Sequence, residues 1–116
     1  MKRDEFVTKY TIFANRALAS AEKARREGLL ALDDGIDSEK ANARDIYEYG
    51  MRFAVDGVSP DIIEKILSNI IEQEKDEYSR RLKIIQKEAV LQIQAGIAPQ
   101  VLLHLLNSYT DLPISV

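Results

Sequence analysis

One stretch of the chain combines charged residue types at a spacing that suits binding of a partner. In Lys23–Ile36, the sequence KARREGLLALDDGI, two arginines and two aspartates stand on either side of a short apolar block. These four residues are Arg25, Arg26, Asp33 and Asp34. Exposed charges of both signs steer and orient a protein partner through electrostatic complementarity. The same charges are also typical of the solvated face of any helix, and both interpretations stay open on the charge pattern alone.

No other group of residues forms a pattern that indicates catalysis or metal binding. His104 is the only histidine and stands among leucines, so we interpret it as a packing or edge residue. The carboxylates Glu72, Glu74 and Asp76 lack the glycine-containing spacing of a calcium loop. The sequence has no cysteine, phosphate loop, dinucleotide fingerprint or arrangement of serine, histidine and acid. We therefore predict a protein that is not an enzyme, with no catalytic residue, no metal and no cofactor.

The composition is that of a folded, soluble protein. Of the 116 residues, 46% are hydrophobic and 30% are charged, and this length suits a single helical domain over residues 1–116. The net charge of −3 argues against nucleic acid as a partner. No apolar run is long enough for a direct membrane span, and the start, MKRDEFVTKY, lacks the apolar core of a signal peptide. We expect a cytoplasmic protein.

Apolar residues at steps of three and four predict an all-α fold of four helices. The helices are expected over residues 4–34, 38–56, 60–95 and 99–109. A glycine follows each of the first three helices, and a proline stands at the start of each of the last two. The glycines are Gly35, Gly57 and Gly96, and the prolines are Pro60 and Pro99.

Charged residues on the second and third predicted helices are expected to face solvent. On the second helix these residues are Asp45, Glu48 and Arg52. The third helix is unusually long, because nothing between residues 60 and 95 interrupts its pattern. At 1.5 Å per residue it would extend about 54 Å, beyond the size of a compact domain. Its charged middle would then stand in solvent.

Two segments of the chain carry a resemblance to a known family. ARREGLLALDDGI, followed by FAVDGVSPDIIEKIL and an acidic run, is similar to the cytoplasmic loop of the MotA family of flagellar stator proteins. RRLKIIQKEAVLQIQAGIAPQVLLHLLNSY is similar to the cytoplasmic tail after the last membrane helix. The membrane helices that separate loop and tail in the family are missing from this sequence. The chain is either a soluble relative that keeps the cytoplasmic module or a loop and tail that were joined artificially.

The resemblance implies a role for the charged stretch. In stator proteins, a basic residue at the start of the motif and an acidic residue at its end face the charged torque helix of the rotor. The matching positions are Arg25 and Asp33, where the family usually has glutamate at the second. On one continuous helix they would lie about 80° apart, on one exposed side. The implied partners are the flagellar rotor switch protein or stator components, at the inner face of the membrane near the motor. We expect the neighbouring charges Arg26 and Asp34 to belong to the same binding surface.

Two other functions stay open on the sequence. One is a structural homo-oligomer that self-associates through the long third helix, since Leu82, Ile85 and Ala89 would need a cover there. The other is a helical adaptor protein that is unrelated to motility. The three hypotheses differ in the partner, and the amino-acid sequence does not decide among them.

Overall fold

The structure, a computed structural model, describes residues 1–112, and within that range the chain is built from helices and turns only. Residues 113–116, which the predicted single domain includes, lie outside the described residues. The all-α class agrees with the sequence prediction. Six α-helices and one 3-10 helix follow one another in this order: α1 (Arg3–Glu27), the 3-10 segment (Leu29–Gly35), α2 (Ser38–Asn42), α3 (Ile46–Val55), α4 (Pro60–Glu72), α5 (Glu77–Ala95) and α6 (Pro99–Asn107).

The prediction of four helices is wrong, because three of the predicted helices are each interrupted. The first ends at Gly28, not at Gly35. Gly28 has φ 92° and ψ 157°, and its N–H donates to the carbonyl oxygen of Ala24 at 2.8 Å. Residues that have a Cβ atom rarely adopt a positive φ, so this position suits glycine. The chain then continues as the 3-10 segment, which Leu32 fixes to the core with 8% exposure.

The second predicted helix is interrupted between α2 and α3. Arg44 has a φ of 61°, in the left-handed region, which prevents the helix from continuing. The Asp45 side chain then caps α3 by accepting a hydrogen bond from the Glu48 N–H at 3.1 Å. Neither glycine nor proline marks this break. The break could therefore not be predicted from glycine and proline stop signals.

The third predicted helix is interrupted at residues 73–76, and the two halves, α4 and α5, pack against each other as a helical hairpin. Asp76 starts α5 by accepting a hydrogen bond from the Ser79 N–H at 2.8 Å. The described residues extend 35 × 34 × 24 Å, and the longest helix is α1 with 25 residues. The prediction of an unusually long third helix is therefore wrong. The argument for self-association through it loses its premise, since Ile85 and Ala89 are fully buried within the chain.

The charge of Asp76 stabilises this hairpin, which gives a prediction for acid conditions. The hydrogen bond from the Met1 ammonium and the Ser79 N–H hold the pKa of Asp76 at about 2, below the ordinary 3.8. Because the folded-state pKa is lowered, ionised Asp76 contributes stability above pH 3.8, and this contribution is lost as the pH falls towards 2. In urea unfolding, the wild type should exceed Asp76→Asn in stability at neutral pH, and the difference should shrink on acidification. A difference that stays constant with pH would contradict this assignment.

Helix α5 lies at the centre of the fold and packs against α1, α3, α4 and α6. Two alanines of α1 are buried in the core, with Ala17 at 0% and Ala21 at 1% exposure. Gly57 and Gly96 have φ values of 83° and 84°, and each stands just before a helix that begins with proline, as predicted. In residues 1–112 no helix combines the length and the apolar character that a bilayer crossing requires.

Candidate functional site

Arg25 and Arg26 lie in the last turn of α1, where positive charge interacts favourably with the helix dipole. Arg26 forms ion pairs on its own helix, with Glu22 at 3.5 Å and with Glu27 at 2.9 Å. Arg25 is exposed and forms no ion pair within 4 Å among residues 1–112. Of the two arginines, Arg25 thus has its guanidinium available to another molecule.

Asp33 and Asp34 lie on the 3-10 segment and are both exposed. Asp33 is connected to the body of the protein, because its Oδ1 accepts a hydrogen bond from Arg52 Nη1 at 2.8 Å. Asp34 forms no ion pair within the described part of the chain. The exposed charge of Asp33 is therefore partly balanced from within the molecule, whereas that of Asp34 is not.

The four predicted residues do not share one helix. Gly28 separates Arg25 and Arg26 from Asp33 and Asp34, and the 3-10 segment packs against both α1 and α3. The angle of 80° calculated for one continuous helix therefore does not apply. We call Arg25, Arg26, Asp33 and Asp34 the charged turn. The exposed Leu30 lies within it, with 74% of its surface accessible.

The charged turn can bind a partner of complementary charge without changing the fold. Single exposed ion pairs contribute only about 0–1 kcal/mol each, which is enough to orient a partner and too little to hold it tightly. An exposed leucine between the charges adds apolar area at the same place. The arrangement suits a short-lived contact with another protein.

Glu48, which the sequence placed on an exposed face, is buried with 1% exposure, and that prediction is wrong. Its Oε1 accepts a hydrogen bond from Arg16 of α1, and its Oε2 accepts one from the Asp37 N–H at 2.9 Å. The carboxylate thus connects α1, α3 and the chain that leaves the 3-10 segment. The Asp45-x-x-Glu48 spacing, with Asp45 as the cap, was the available signal that a helix begins directly after Asp45. Nothing in the sequence pointed to Arg16.

A groove of about 250 Å³ lies between α1, the 3-10 segment and α3, next to the charged turn. Tyr47 is one of its lining residues and is buried, with 3% exposure, and the Arg16 guanidinium lies 4.7 Å from the centre of its ring. The Tyr47 hydroxyl has no hydrogen-bond partner among residues 1–112. Burial raises the pKa of Tyr47, and the neighbouring Ser20 hydroxyl and Arg16 charge offset part of that rise. The sequence analysis did not identify Arg16, Ser20 or Tyr47 as candidates.

The histidine and the three carboxylates that the sequence analysis considered lie at helix ends and in the turn between α4 and α5. His104 is an exposed residue in the last turn of α6, which fits an edge residue. Glu74 forms an ion pair with Lys83 at 2.9 Å, and Asp76 caps α5. Glu72 is exposed at the end of α4. Glu74 and Asp76 therefore belong to the turn between α4 and α5.

The fold and the site define a small all-α protein with an exposed charged turn beside a groove. In comparison with known proteins, the chain is similar to Motility protein A of Borreliella burgdorferi, with 40% identity over 58 residues. The match covers 50% of this chain and 21% of that protein, so the chain spans about a fifth of the length of its relative. It supports a relationship to MotA over half of the chain. No family model matches the chain, and no solved structure matches it.

Proposed function

We propose that this protein has a role in motility as a non-catalytic interaction module related to the cytoplasmic region of MotA. Its charged turn docks onto a component of the flagellar motor, either the rotor switch protein or a stator protein. The observation that carries this proposal is the exposure of Arg25 and Asp34 on the two sides of Gly28, in the stretch that resembles the rotor-facing loop. The similarity to Motility protein A supports the same role.

The geometry suits a motor contact because such a contact must form and break repeatedly. The charged turn offers positive charge at the end of α1, negative charge on the 3-10 segment and one exposed leucine. Charged surfaces raise association rates and discriminate among partners while adding little to affinity. Binding should therefore weaken as salt is raised, since screening shortens the range of exposed charges. We place the protein in the cytoplasm, at the inner face of the membrane beside the motor.

Charge reversal of the turn tests this proposal. Arg25→Glu combined with Asp33→Lys should reduce binding to the purified rotor switch protein of the same organism by at least about tenfold, because it removes two attractive contacts and adds two repulsive ones. Binding is measured by titration at low and at moderate salt. The far-ultraviolet circular dichroism spectrum should stay that of the wild type, because both side chains are exposed.

Two control variants separate docking from indirect effects. Arg52→Gln removes the ion pair that holds Asp33, and it should leave binding within about threefold of the wild type. Lys65→Glu reverses an exposed charge on α4, outside the charged turn, and should have no effect. Unchanged binding after the double reversal, or equal loss in Lys65→Glu, would overturn the proposal. A wild-type protein that binds no motor component would favour an adaptor outside motility.

A further inference from the structure

A surface hollow lies between α2 and α3, where the chain bends at Arg44. Its volume of about 390 Å³ is within the usual range for a small-molecule site. Five of its six lining side chains carry hydrogen-bond donors, two of these are guanidiniums, and none is a carboxylate. The six residues, which we call the arginine hollow, are Ser38, Ala41, Asn42, Arg44, Tyr49 and Arg52. In a chain with 19 acidic and 16 basic residues, a hollow lined by positive charge alone is suited to an anion.

Most donors of the arginine hollow are not used within the protein. Four of the side chains form no hydrogen bond among residues 1–112, and these are Ser38, Asn42, Arg44 and Tyr49. In the same range Arg44 forms no ion pair within 4 Å. Arg52 donates from Nη1 to Asp33 at 2.8 Å, which leaves its Nε and Nη2 donors for another acceptor.

The two aspartates that flank α2 do not neutralise the arginine hollow. Asp37 Oδ1 accepts hydrogen bonds from the backbone N–H groups of residues 39 and 40, at 3.0 and 3.2 Å. Asp45 Oδ1 accepts one from the Glu48 N–H at 3.1 Å. Both carboxylates thus cap helices, and neither lines the hollow. The charge of Arg44 is unbalanced there, and that of Arg52 is shared with Asp33.

The number and placement of the donors select the kind of anion. Guanidiniums bind carboxylates and phosphates through paired N–H bonds. A carboxylate has two oxygens, whereas a phosphate group offers at least three strong acceptor oxygens and carries up to two negative charges. The donors of the arginine hollow come from α2, from the bend and from α3. Five donor side chains on three segments, two of them cationic, match a phosphate group better than a carboxylate.

We propose that the arginine hollow binds the phosphate group of a small molecule, either inorganic phosphate or a phosphate monoester. The guanidiniums of Arg44 and Arg52 contact the phosphate oxygens. The side chains of Ser38, Asn42 and Tyr49 donate the other hydrogen bonds. This site goes beyond the motor contact and does not depend on it, because none of its residues belongs to the charged turn.

Three probes test the proposed recognition by nuclear magnetic resonance titration of the ¹⁵N-labelled full chain at constant ionic strength. They are inorganic phosphate, glycerol 3-phosphate and acetate. Both phosphates should shift the backbone signals of residues 38–52 in a saturable manner, and acetate should bind at least about tenfold more weakly. Tighter binding of the ester would assign a phosphate monoester, and tighter binding of inorganic phosphate would assign the free ion. Equal binding would show that the phosphate group alone is recognised.

Two variants assign the guanidinium contacts. Arg44→Gly should weaken phosphate binding about tenfold, the scale of one hydrogen bond to a charged group. Its thermal unfolding should stay close to that of the wild type, because glycine suits the φ of 61° at this position. Arg52→Gln should weaken phosphate binding by a similar factor, although its binding to the rotor switch protein stays within about threefold of the wild type. Lys65→Gln changes an exposed basic residue of α4 outside the hollow and should bind phosphate as the wild type does.

Several results would overturn the phosphate site. They are the absence of saturable shifts in residues 38–52, acetate binding as tight as phosphate binding, and full phosphate affinity in Arg44→Gly. Loss of binding in Lys65→Gln as large as that in Arg44→Gly would also overturn it, because it would show attraction to surface charge in general. The motor contact is measured separately, with the rotor switch protein and charge reversal of the charged turn, so failure of one proposal is distinguishable from failure of the other.

Discussion

Replacement of Arg16 by leucine should destabilise the protein by about 3 kcal/mol, because it leaves the carboxylate of Glu48 buried without its charged partner. The Glu48 side chain is only 2% exposed, whereas that of Arg16 is 43% exposed. Removal of the arginine therefore leaves a buried negative charge without a counter-ion. The prediction rests on this difference in burial between the two partners. The free energy of unfolding is measured by urea titration.

The matched variants are Glu48→Gln and Arg26→Leu. The single amide oxygen of glutamine can accept from Arg16 or from the Asp37 N–H but not from both, so Glu48→Gln should cost about 1–3 kcal/mol. Arg16→Leu with Glu48→Gln should lose less than the sum of the two single changes, because the stranded charge is gone. Arg26→Leu removes exposed pairs and should stay within about 0.5 kcal/mol of the wild type. Equal losses in Arg16→Leu and Arg26→Leu would refute the buried-charge argument.

Replacement of Gly50 by valine should destabilise the protein by about 3 kcal/mol or more, through crowding where α3 meets α4 and α5. A Cβ atom at Gly50 would stand 2.9 Å from Leu67 Cδ1 and 2.9 Å from Val90 Cγ2. Leu67 and Val90 are both fully buried, so neither can move aside without disturbing the core. Gly50→Ala should cost about 1 kcal/mol, since the gain in helix propensity offsets part of the clash.

Gly35→Ala is the control for this substitution. A Cβ at Gly35 meets no atom within 4 Å, and its φ lies outside the region that favours glycine. Thermal and urea unfolding should place it within about 0.5 kcal/mol of the wild type. If Gly50→Val were as stable as Gly35→Ala, this would contradict the close packing of α3 on α4 and α5 at Gly50.

Glycine and proline made part of the fold predictable from the sequence. The ends near Gly57 and Gly96 and the starts at Pro60 and Pro99 agree with the prediction, because these residues act through their own backbone geometry. The break at Arg44 has no such residue. Arg44 adopts a φ of 61°, and its N–H donates to the carbonyl oxygen of Ala41 at 3.1 Å.

The break between α4 and α5 shows the limit of the periodicity argument. Apolar positions at helical spacing precede residue 72 and resume at Leu82 whether the helix is straight or folded, since both halves need a buried face. The choice is made by packing, because the folded hairpin buries Ile85 and Ala89 inside one chain. Asp76 with Ser79 three residues later was the local sign of a new helix start, and it was weaker than the continuous pattern.

The candidate site was predictable in residue type and only partly in geometry. The sequence identified Arg25, Arg26, Asp33 and Asp34, and the structure has all four exposed. The sequence could not reveal that the positive charge of Arg52 balances the negative charge of Asp33. Those residues are distant in sequence and meet only when the 3-10 segment packs on α3. The groove was missed for the same reason, since Ser20 and Tyr47 come together only in the folded chain.

The central claim is that the charged turn docks this protein at the flagellar motor, and localisation in the parent organism tests it most directly. A fluorescent fusion of the wild type should form foci at the flagellar bases. The same fusion with Arg25→Glu and Asp33→Lys, at an equal cellular level, should be diffuse. Foci that persist in the charge-reversed fusion, or a wild-type fusion that is diffuse in flagellated cells, would contradict the account.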